Sequence, residues 1–131
     1  MNDLQKAREF FKNDIYAVEQ TGIEIIDART GYAKCSLKLD DRHKNAMGFV
    51  MGGVYFTMAD FAFAIATNLN QPATVTQSSQ IVYLSGAKGS TLYAETEQIK
   101  AGKKTCFYKI TISDDTGTAL AYVTTTGFVV G

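Results

Sequence analysis

Residues 52–69 read GGVYFTMADFAFAIATNL, and this stretch decides the fold. Apolar residues fill nearly every position of residues 54–69, so this part predicts a helix that the rest of the protein covers on almost all sides. Two glycines precede the predicted helix, and a break over residues 68–72 ends it. One ionisable residue, Asp60, lies in the middle of the apolar surface.

The chain on either side of this helix shows the alternation of apolar and polar residues that is typical of β-strands. Upstream, residues 23–26 and 32–39 alternate around a Thr-Gly pair, which predicts an antiparallel hairpin. Apolar spacing predicts a short N-terminal helix over residues 3–13, and the polar, glycine-rich residues 40–53 predict a loop. Four strands separated by turn signals are expected downstream and should form a meander: residues 74–84, 91–99, 104–113 and 118–130.

One buried helix placed after two strands and before four long ones indicates an α+β domain, in which a curved antiparallel sheet wraps around the helix. This is the hot-dog arrangement. No internal repeat, low-complexity tract or interdomain linker interrupts it, so residues 1–131 are interpreted as a single domain. The aromatic side chains of Tyr83, Phe107 and Tyr122 are expected to pack within the sheet.

Composition limits the function classes that the chain fits. Because 13 basic and 13 acidic residues are mixed along the sequence, there is no basic stripe, and nucleic acid is not expected as a partner. The charged N-terminus does not resemble a signal peptide and no apolar run is long enough to cross a bilayer, so we expect a cytoplasmic protein that does not bind membranes. With one histidine and no CxxC pair, neither a metal site nor a cofactor is expected. Cys35 and Cys106 are interpreted as buried structural thiols.

The glycine pair at residues 52 and 53 stands where the loop enters the predicted helix. The first amide groups of a helix lack intrahelical acceptors and lie at the positive end of the helix dipole, so they can stabilise negative charge. Because glycine lets a ligand approach the backbone closely, the Gly52 amide is a candidate oxyanion donor for an acyl carbonyl. The alternative is a glycine pair that only permits tight contact between helix and sheet.

Asp60 is the only ionisable residue between Gly53 and Leu69. A carboxylate removed from water is the kind of group that enzymes tune, which makes Asp60 a candidate nucleophile or general base for acyl transfer. The alternative is a buried carboxylate satisfied by a backbone or hydroxyl donor, for example from Thr57 or from a facing strand.

The spacing of the two candidates predicts a dimer. Asp60 follows Gly52 by eight residues. This is about 12 Å along a helix, so one acyl carbonyl cannot contact both groups of the same chain. If both groups act, Gly52 of one protomer faces Asp60 of the other in a two-fold homodimer with two interface sites.

A set of short motifs surrounds these two groups: His43-Lys44-Asn45, Gly48, Met51-Gly52-Gly53, Met58-Ala59-Asp60, Val75-Thr76 and Tyr83-Leu84-Ser85. The pattern resembles the PaaI-like (phenylacetic-acid-degradation) branch of the hot-dog thioesterases, and the resemblance spans residues 23–130. It implies that Asp60 activates water or attacks the thioester directly, while the Gly52 amide polarises the thioester carbonyl. It also implies that Asn45 helps to position the substrate or water, and that Thr76 orients the nucleophile from the strand facing the helix.

Three further residues are assigned to substrate binding: His43, Met51 and Gly53. His43 is a candidate ligand contact, although a lone histidine in a polar loop also fits a surface group. Met51 stands where the family usually has histidine, so a side-chain contact near the acyl carbonyl is lost or becomes apolar. A second departure is Ser85-Gly86, where many relatives carry Arg-Pro, and it is expected to weaken phosphate or pantetheine binding.

The resulting prediction is a thioesterase that cleaves an aryl- or short- to medium-chain acyl-CoA to the free acid and coenzyme A. The alternative, motivated by Met51 and the missing Arg-Pro, is a non-catalytic acyl-CoA-binding or regulatory hot-dog dimer. Dehydration of an acyl thioester would need a histidine paired with an acid in the site, and the only histidine lies in the loop. A homodimer is expected, and the habit of the family is that dimers pair into tetramers.

Overall fold

Six antiparallel strands curve around one long helix in the computed structural model, which describes all 131 residues. The helices are α1 (Asp3–Phe11) and α2 (Gly52–Asn68), with a π-helical turn at Tyr16–Thr21 and a 3₁₀ turn at Asp41–His43. The strands are β1 (Glu24–Arg29), β2 (Tyr32–Lys38), β3 (Thr74–Tyr83), β4 (Thr91–Ala101), β5 (Thr105–Asp114) and β6 (Ala119–Val129). The predicted α+β class and hot-dog arrangement are confirmed. Neither helix has the length and apolar character needed to cross a membrane.

The central helix α2 begins two residues earlier than predicted, at Gly52, so the glycine pair forms its first turn. Side chains such as Met58 and Ile65 are fully buried against the sheet. Gly53 and Asp60, however, face solvent. The prediction of a buried helix is therefore confirmed for most of α2, and only the side that carries Gly53 and Asp60 is partly exposed in the single protomer.

The order of the strands across the sheet is β1-β2-β4-β5-β6-β3. Strands β4, β5 and β6 form a meander, but β3 pairs with β6 at the far edge, and β4 pairs with β2. The predicted four-strand meander is therefore wrong. Alternation along a strand shows which face is buried and carries no information about the neighbouring strand. Helix α2 contacts strands at both edges of the sheet, so it carries the chain from β2 to the edge where β3 lies. Residues 84–90 then lead back across the sheet to β4, beside β2.

Alternate side chains of the strands point towards α2 and form the apolar core. On β5 the inward side chains include Cys106, Tyr108 and Ile112, and all three are buried. Phe63 of α2 makes an edge-to-face contact with Tyr108, with ring centroids 5.4 Å apart, which joins the helix to the middle of the sheet. Both cysteines are buried and unpaired, as predicted for Cys35 and Cys106.

The two edges of the sheet differ in their cover. At the β1 edge, α1 packs alongside, and Arg8 donates from Nε to the carbonyl oxygen of Ile25 at 3.0 Å. Strand β3 forms the other edge, and its ten residues leave one row of backbone groups without a neighbouring strand. Most of its side chains are exposed, including Val75 and Val82. A long edge strand with exposed apolar side chains is a surface suited to pairing with another chain.

Candidate active site

The first two amide groups of α2 have no partners within the protomer. Met51 is the N-cap in an extended conformation and makes no side-chain hydrogen bond to the helix, and its carbonyl oxygen accepts from the Val54 amide at 2.9 Å. The amides of Gly52 and Gly53 donate no hydrogen bond, as is usual for the first turn of a helix. Together with the helix dipole, they provide unpaired donors where negative charge would be stabilised.

Tyr83 packs directly against Gly52, so a larger residue at this position would have to displace the Tyr83 ring. The Tyr83 hydroxyl donates to the Gly52 carbonyl oxygen at 3.1 Å. A Cβ atom on Gly52 would lie 2.9 Å from the hydroxyl oxygen and 3.0 Å from two ring carbons, whereas a Cβ on Gly53 would meet open space. The close-contact role that was the alternative for the glycine pair therefore applies to Gly52. Tyr83 itself is 53% exposed and contacts the helix, so the prediction that it packs within the sheet is wrong.

Asp60 lies on the exposed side of α2 beside β3. Thr76 Oγ1 donates to Asp60 Oδ1 over a long distance of 3.5 Å. The pairing of β3 with β6 shifts register at Gln77, between Thr76 and Ser78. This shift helps to set the face on which Thr76 emerges. Partial removal from water raises the pKa of Asp60, the Thr76 hydrogen bond opposes this shift, and the carboxylate of Asp14 adds to it.

The carboxylate of Asp60 does not behave as a buried structural group. It is exposed in the protomer and forms no salt bridge. Of the two alternative donors, Thr57 bonds instead to the carbonyl oxygen of Gly53 at 2.9 Å, whereas the facing strand β3 supplies the Thr76 hydroxyl. An accessible carboxylate with a raised pKa on an otherwise apolar helix is suited to act as a general base or nucleophile.

Asn45 organises the loop that leads into α2. Its Oδ1 accepts from the backbone amides of Met47 at 3.0 Å and Phe49 at 3.1 Å. Its own backbone amide donates to the carbonyl oxygen of Phe49 at 2.7 Å, and Gly48 completes the loop with a φ of 86°. The side-chain amide nitrogen of Asn45 makes no hydrogen bond and is open to a ligand. Asn45 thus shapes the loop, and its role towards substrate or water stays a prediction.

His43 is buried, with only 2% of the residue exposed, so its interpretation as a surface group is wrong. Its Nε2–H donates to the carbonyl oxygen of Thr21 at 2.7 Å, and its Nδ1 accepts the Asp40 amide at 3.0 Å. Both ring nitrogens are therefore occupied by backbone groups, and neither is free to contact a substrate. Its position beneath the π-helical turn indicates a structural role.

The π-helical turn lies beside the partly exposed side of α2. Hydrogen bonds from the loop that precedes α2 hold it there. Arg42 Nη1 donates to the carbonyl oxygens of Glu19 at 3.2 Å and Gln20 at 3.1 Å. With the bond from His43 to Thr21, three consecutive carbonyl groups at the end of the turn are satisfied by the loop that precedes α2. The turn is thereby fixed relative to the helix.

Two cavities separate this N-terminal segment from α2. The first has a volume of about 400 Å³, and Met51, Gly53 and Thr57 form its helix side. The second has a volume of about 280 Å³ and lies between residues 14–17 and the part of α2 that carries Asp60. Met51 and Gly53, both assigned to substrate binding, thus line one cavity, and the candidate nucleophile lines the other.

The predicted site residues fall into two groups, one at the start of α2 and one at its middle. The first group consists of Asn45, Met51, Gly52 and Gly53. The second consists of Asp60 and Thr76. About 12 Å of helix separates the two groups, so within one protomer a single acyl carbonyl does not contact both. His43 belongs to neither group. The sequence placed Tyr83 in a family motif without giving it a role, and it did not point to Asp14 as a neighbour of the site.

Comparison with known proteins agrees with this geometry. Residues 47–121 match the family model described as the thioesterase superfamily. The chain is 34% identical over 109 residues to the acyl-coenzyme A thioesterase PaaI of Escherichia coli, covering 82% of this chain and 77% of that protein.

Solved structures of thioesterase-family proteins also resemble this chain. The structure of the Escherichia coli PaaI protein superposes with a TM-score of 0.89 at 25% identity, covering 98% of this chain and 94% of that chain. A hypothetical thioesterase protein of Streptococcus pneumoniae, solved with coenzyme A, superposes with a TM-score of 0.84 at 26% identity, covering 92% of this chain and 97% of that chain. The resemblance seen in the motifs is therefore confirmed, and the chain belongs to the PaaI-like branch of the thioesterase superfamily.

Proposed function

We propose that the protein hydrolyses the thioester bond of an acyl-CoA with an aryl or short- to medium-chain acyl group, releasing the free acid and coenzyme A. The observation that carries this proposal is the exposed carboxylate of Asp60, with its raised pKa, on the apolar helix of a thioesterase-family chain. The names of two relatives support the substrate class, since one is an acyl-coenzyme A thioesterase and one was solved with coenzyme A.

The proposed reaction uses Asp60 and the amide of Gly52. Asp60 takes a proton from a water molecule whose oxygen attacks the thioester carbonyl carbon. The Gly52 amide donates to the carbonyl oxygen as negative charge develops there. When the carbon–sulfur bond breaks, the sulfur leaves as a thiolate and takes the proton from Asp60. Direct attack by an Asp60 oxygen, followed by hydrolysis of the resulting anhydride, uses the same groups, and Thr76 orients the carboxylate in both cases.

A homodimer with two interface sites is part of the proposal. Asp60 follows Gly52 by eight helical residues, which is about 12 Å. The two groups of one chain therefore cannot contact the same thioester carbonyl. The partly exposed side of α2 and the free edge of β3 lie next to each other, so one partner can cover both. Two-fold pairing would bring Gly52 of each protomer to Asp60 of the other. Pairing of such dimers into a tetramer and a cytoplasmic location remain predictions of the sequence.

The first experiment measures the release of free coenzyme A from aromatic and aliphatic acyl-CoAs by the wild type and by Asp60→Asn. We expect the wild type to hydrolyse at least one class and the variant to lose about 100-fold or more in kcat, because the amide cannot accept a proton. Far-ultraviolet circular dichroism checks that the variant is folded. Equal rates for the two proteins would rule out the role of Asp60.

A second experiment tests the shared site by mixing two inactive variants. Gly52→Pro removes the amide proton at the first helical position, where proline is tolerated, and Met51 has φ −65° and ψ 134°, which a following proline permits. The Tyr83 ring has to shift slightly, so folding of this variant is checked by circular dichroism. Unfolded and refolded together in equal amounts, Gly52→Pro and Asp60→Asn should regain about a quarter of wild-type activity, because half of the dimers carry one intact site. No recovery from two folded variants would contradict an interface site.

The second candidate function is a non-catalytic acyl-CoA-binding dimer. It is favoured by Met51, which is 58% exposed where relatives have histidine, and by Ser85-Gly86 in place of Arg-Pro. Isothermal titration with a non-hydrolysable acyl-CoA analogue separates the two functions. Binding without hydrolysis of any acyl-CoA in the panel would favour the second candidate.

A further inference from the structure

The cavity beside Asp60 is walled by a part of the chain that lies outside the region matching the thioesterase family, residues 47–121. On one side are residues 14–17, and on the other are Thr57, Asp60, Phe61 and Ala64 of α2. The volume of about 280 Å³ is close to the lower limit of roughly 300 Å³ for small-ligand pockets. This N-terminal wall therefore lies outside the part of the chain that matches the family model.

The wall is fixed in place at Asp14. The Asp14 amide donates to the carbonyl oxygen of Phe11 at 3.0 Å, which ties it to the end of α1. The Asp14 carbonyl oxygen accepts from the Val18 amide at 2.9 Å, which ties it to the π-helical turn. Since the loop before α2 also holds that turn, the backbone of Asp14 is anchored on both sides. Its carboxylate forms neither a salt bridge nor a hydrogen bond.

The lining of the cavity is apolar with two carboxylates and no basic group. Ile15, Ala17, Phe61 and Ala64 supply most of the apolar surface. Asp14 and Asp60 supply the only charges, and both are acidic. The Asp14 carboxylate is close enough to Asp60 to contribute to its raised pKa, so the two negative groups act on the same space.

We propose that this cavity receives the acyl group of the thioester, and that Asp14 together with Asp60 selects neutral acyl groups over acyl groups that end in a carboxylate. The inference rests on the proposed function, since it places the acyl group next to the candidate nucleophile. A terminal carboxylate would enter an apolar space that already holds two negative charges and offers no cation. A like-charge interaction over several ångströms at a half-exposed site changes affinity by on the order of tenfold.

The test compares pentanoyl-CoA with glutaryl-CoA, which have acyl chains of equal length and differ in the terminal carboxylate. We expect the wild type to prefer pentanoyl-CoA in kcat/KM by tenfold or more. Asp14→Asn should reduce this preference about tenfold at low ionic strength. Any effect of the substitution on the reactivity of Asp60 acts on both substrates and cancels in the ratio. Asp27→Asn is the matched control, because it removes an exposed acid from β1, which does not line the cavity, and it should leave the ratio unchanged.

A size variant tests the location of the acyl group independently of charge. Ala64→Leu adds three carbon atoms to the cavity wall and should lower kcat/KM for pentanoyl-CoA at least several-fold more than for acetyl-CoA. An unchanged ratio of pentanoyl-CoA to glutaryl-CoA in Asp14→Asn, or an equal change in Asp27→Asn, would overturn the inference while leaving the proposed function intact. Failure of the wild type to hydrolyse these thioesters or any aromatic acyl-CoA would instead refute the proposed function and the inference with it.

Discussion

Replacing Asp114 with asparagine should strongly destabilise the protein, because this carboxylate holds the segment that links β3 to β4. Asp114 is the last residue of β5 and is 2% exposed. Its Oδ2 accepts from the amides of Lys88 at 2.7 Å and Gly89 at 2.9 Å. Its Oδ1 accepts from the Thr116 amide at 3.0 Å, the Thr116 hydroxyl at 2.6 Å and the Thr118 amide at 3.2 Å. One side chain thus joins the β5–β6 turn to the return segment.

The expected loss follows from these bonds. An asparagine side chain has one oxygen, so its NH₂ group must face at least two backbone N–H groups that the carboxylate had satisfied. Each hydrogen bond to a charged group contributes about 1.5–3 kcal/mol, so loss of two bonds costs about 3–6 kcal/mol. The total free energy of unfolding of a domain is about 5–15 kcal/mol. The substitution therefore removes a large share of the stability.

The assay is equilibrium unfolding in urea at pH 7, followed by circular dichroism, for the wild type and Asp114→Asn. The control is Asp41→Asn, which alters a fully exposed carboxylate whose one ion pair, to Lys44, spans 3.6 Å. We expect the control to change the free energy of unfolding by less than about 0.5 kcal/mol. A loss below about 1 kcal/mol in Asp114→Asn would refute the reasoning from the five hydrogen bonds.

The same carboxylate makes stability depend on pH in a defined direction. Burial would raise the pKa of Asp114, but the hydrogen bonds from Thr116, Lys88 and Gly89 outweigh burial and hold the pKa well below its usual value. A folded-state pKa below the unfolded value of about 3.9 means that the contribution is complete above roughly pH 5 and is lost as the pH falls further. The difference in unfolding free energy between the wild type and Asp114→Asn should therefore shrink below about pH 4. A constant difference across this range would contradict the assignment.

Three further predictions concern the site itself. Asp60→Asn should not lower the free energy of unfolding in urea at pH 7, because the folded state disfavours the charged form of Asp60. A decrease of more than about 1 kcal/mol in this free energy would contradict the prediction. Thr76→Val removes a hydrogen bond that lowers the pKa of Asp60. The acidic limb of the pH profile of kcat/KM should therefore move to higher pH. A limb at the same pH as in the wild type would argue against the contact. Tyr83→Phe keeps the ring but removes the hydrogen bond from the Tyr83 hydroxyl to the Gly52 carbonyl. We expect kcat to fall about 3–10-fold, with KM and melting temperature unchanged. An unchanged kcat would show that the hydroxyl does not position the glycine pair.

The central helix and its two candidate functional positions could be predicted from the sequence. The apolar run of residues 54–69 required a buried helix, and a lone carboxylate eight residues after Gly52 marked the candidate chemistry. The hairpin of β1 and β2 and the existence of four later strands also followed from alternation and turn residues. These features are local, because period, turn chemistry and helix rise depend on residues that are close in sequence.

Only the tertiary structure decided which distant segments meet. It placed β3 beside β6, Tyr83 against Gly52, and the π-helical turn beside the partly exposed side of α2. It also buried His43, which a polar sequence context had suggested to be exposed. No periodic pattern encodes these contacts, because they depend on how the helix carries the chain across the sheet and on how much apolar surface each neighbour can bury. The chemical groups of the site were thus fixed by the sequence, whereas the walls around them, including Asp14, were fixed by packing.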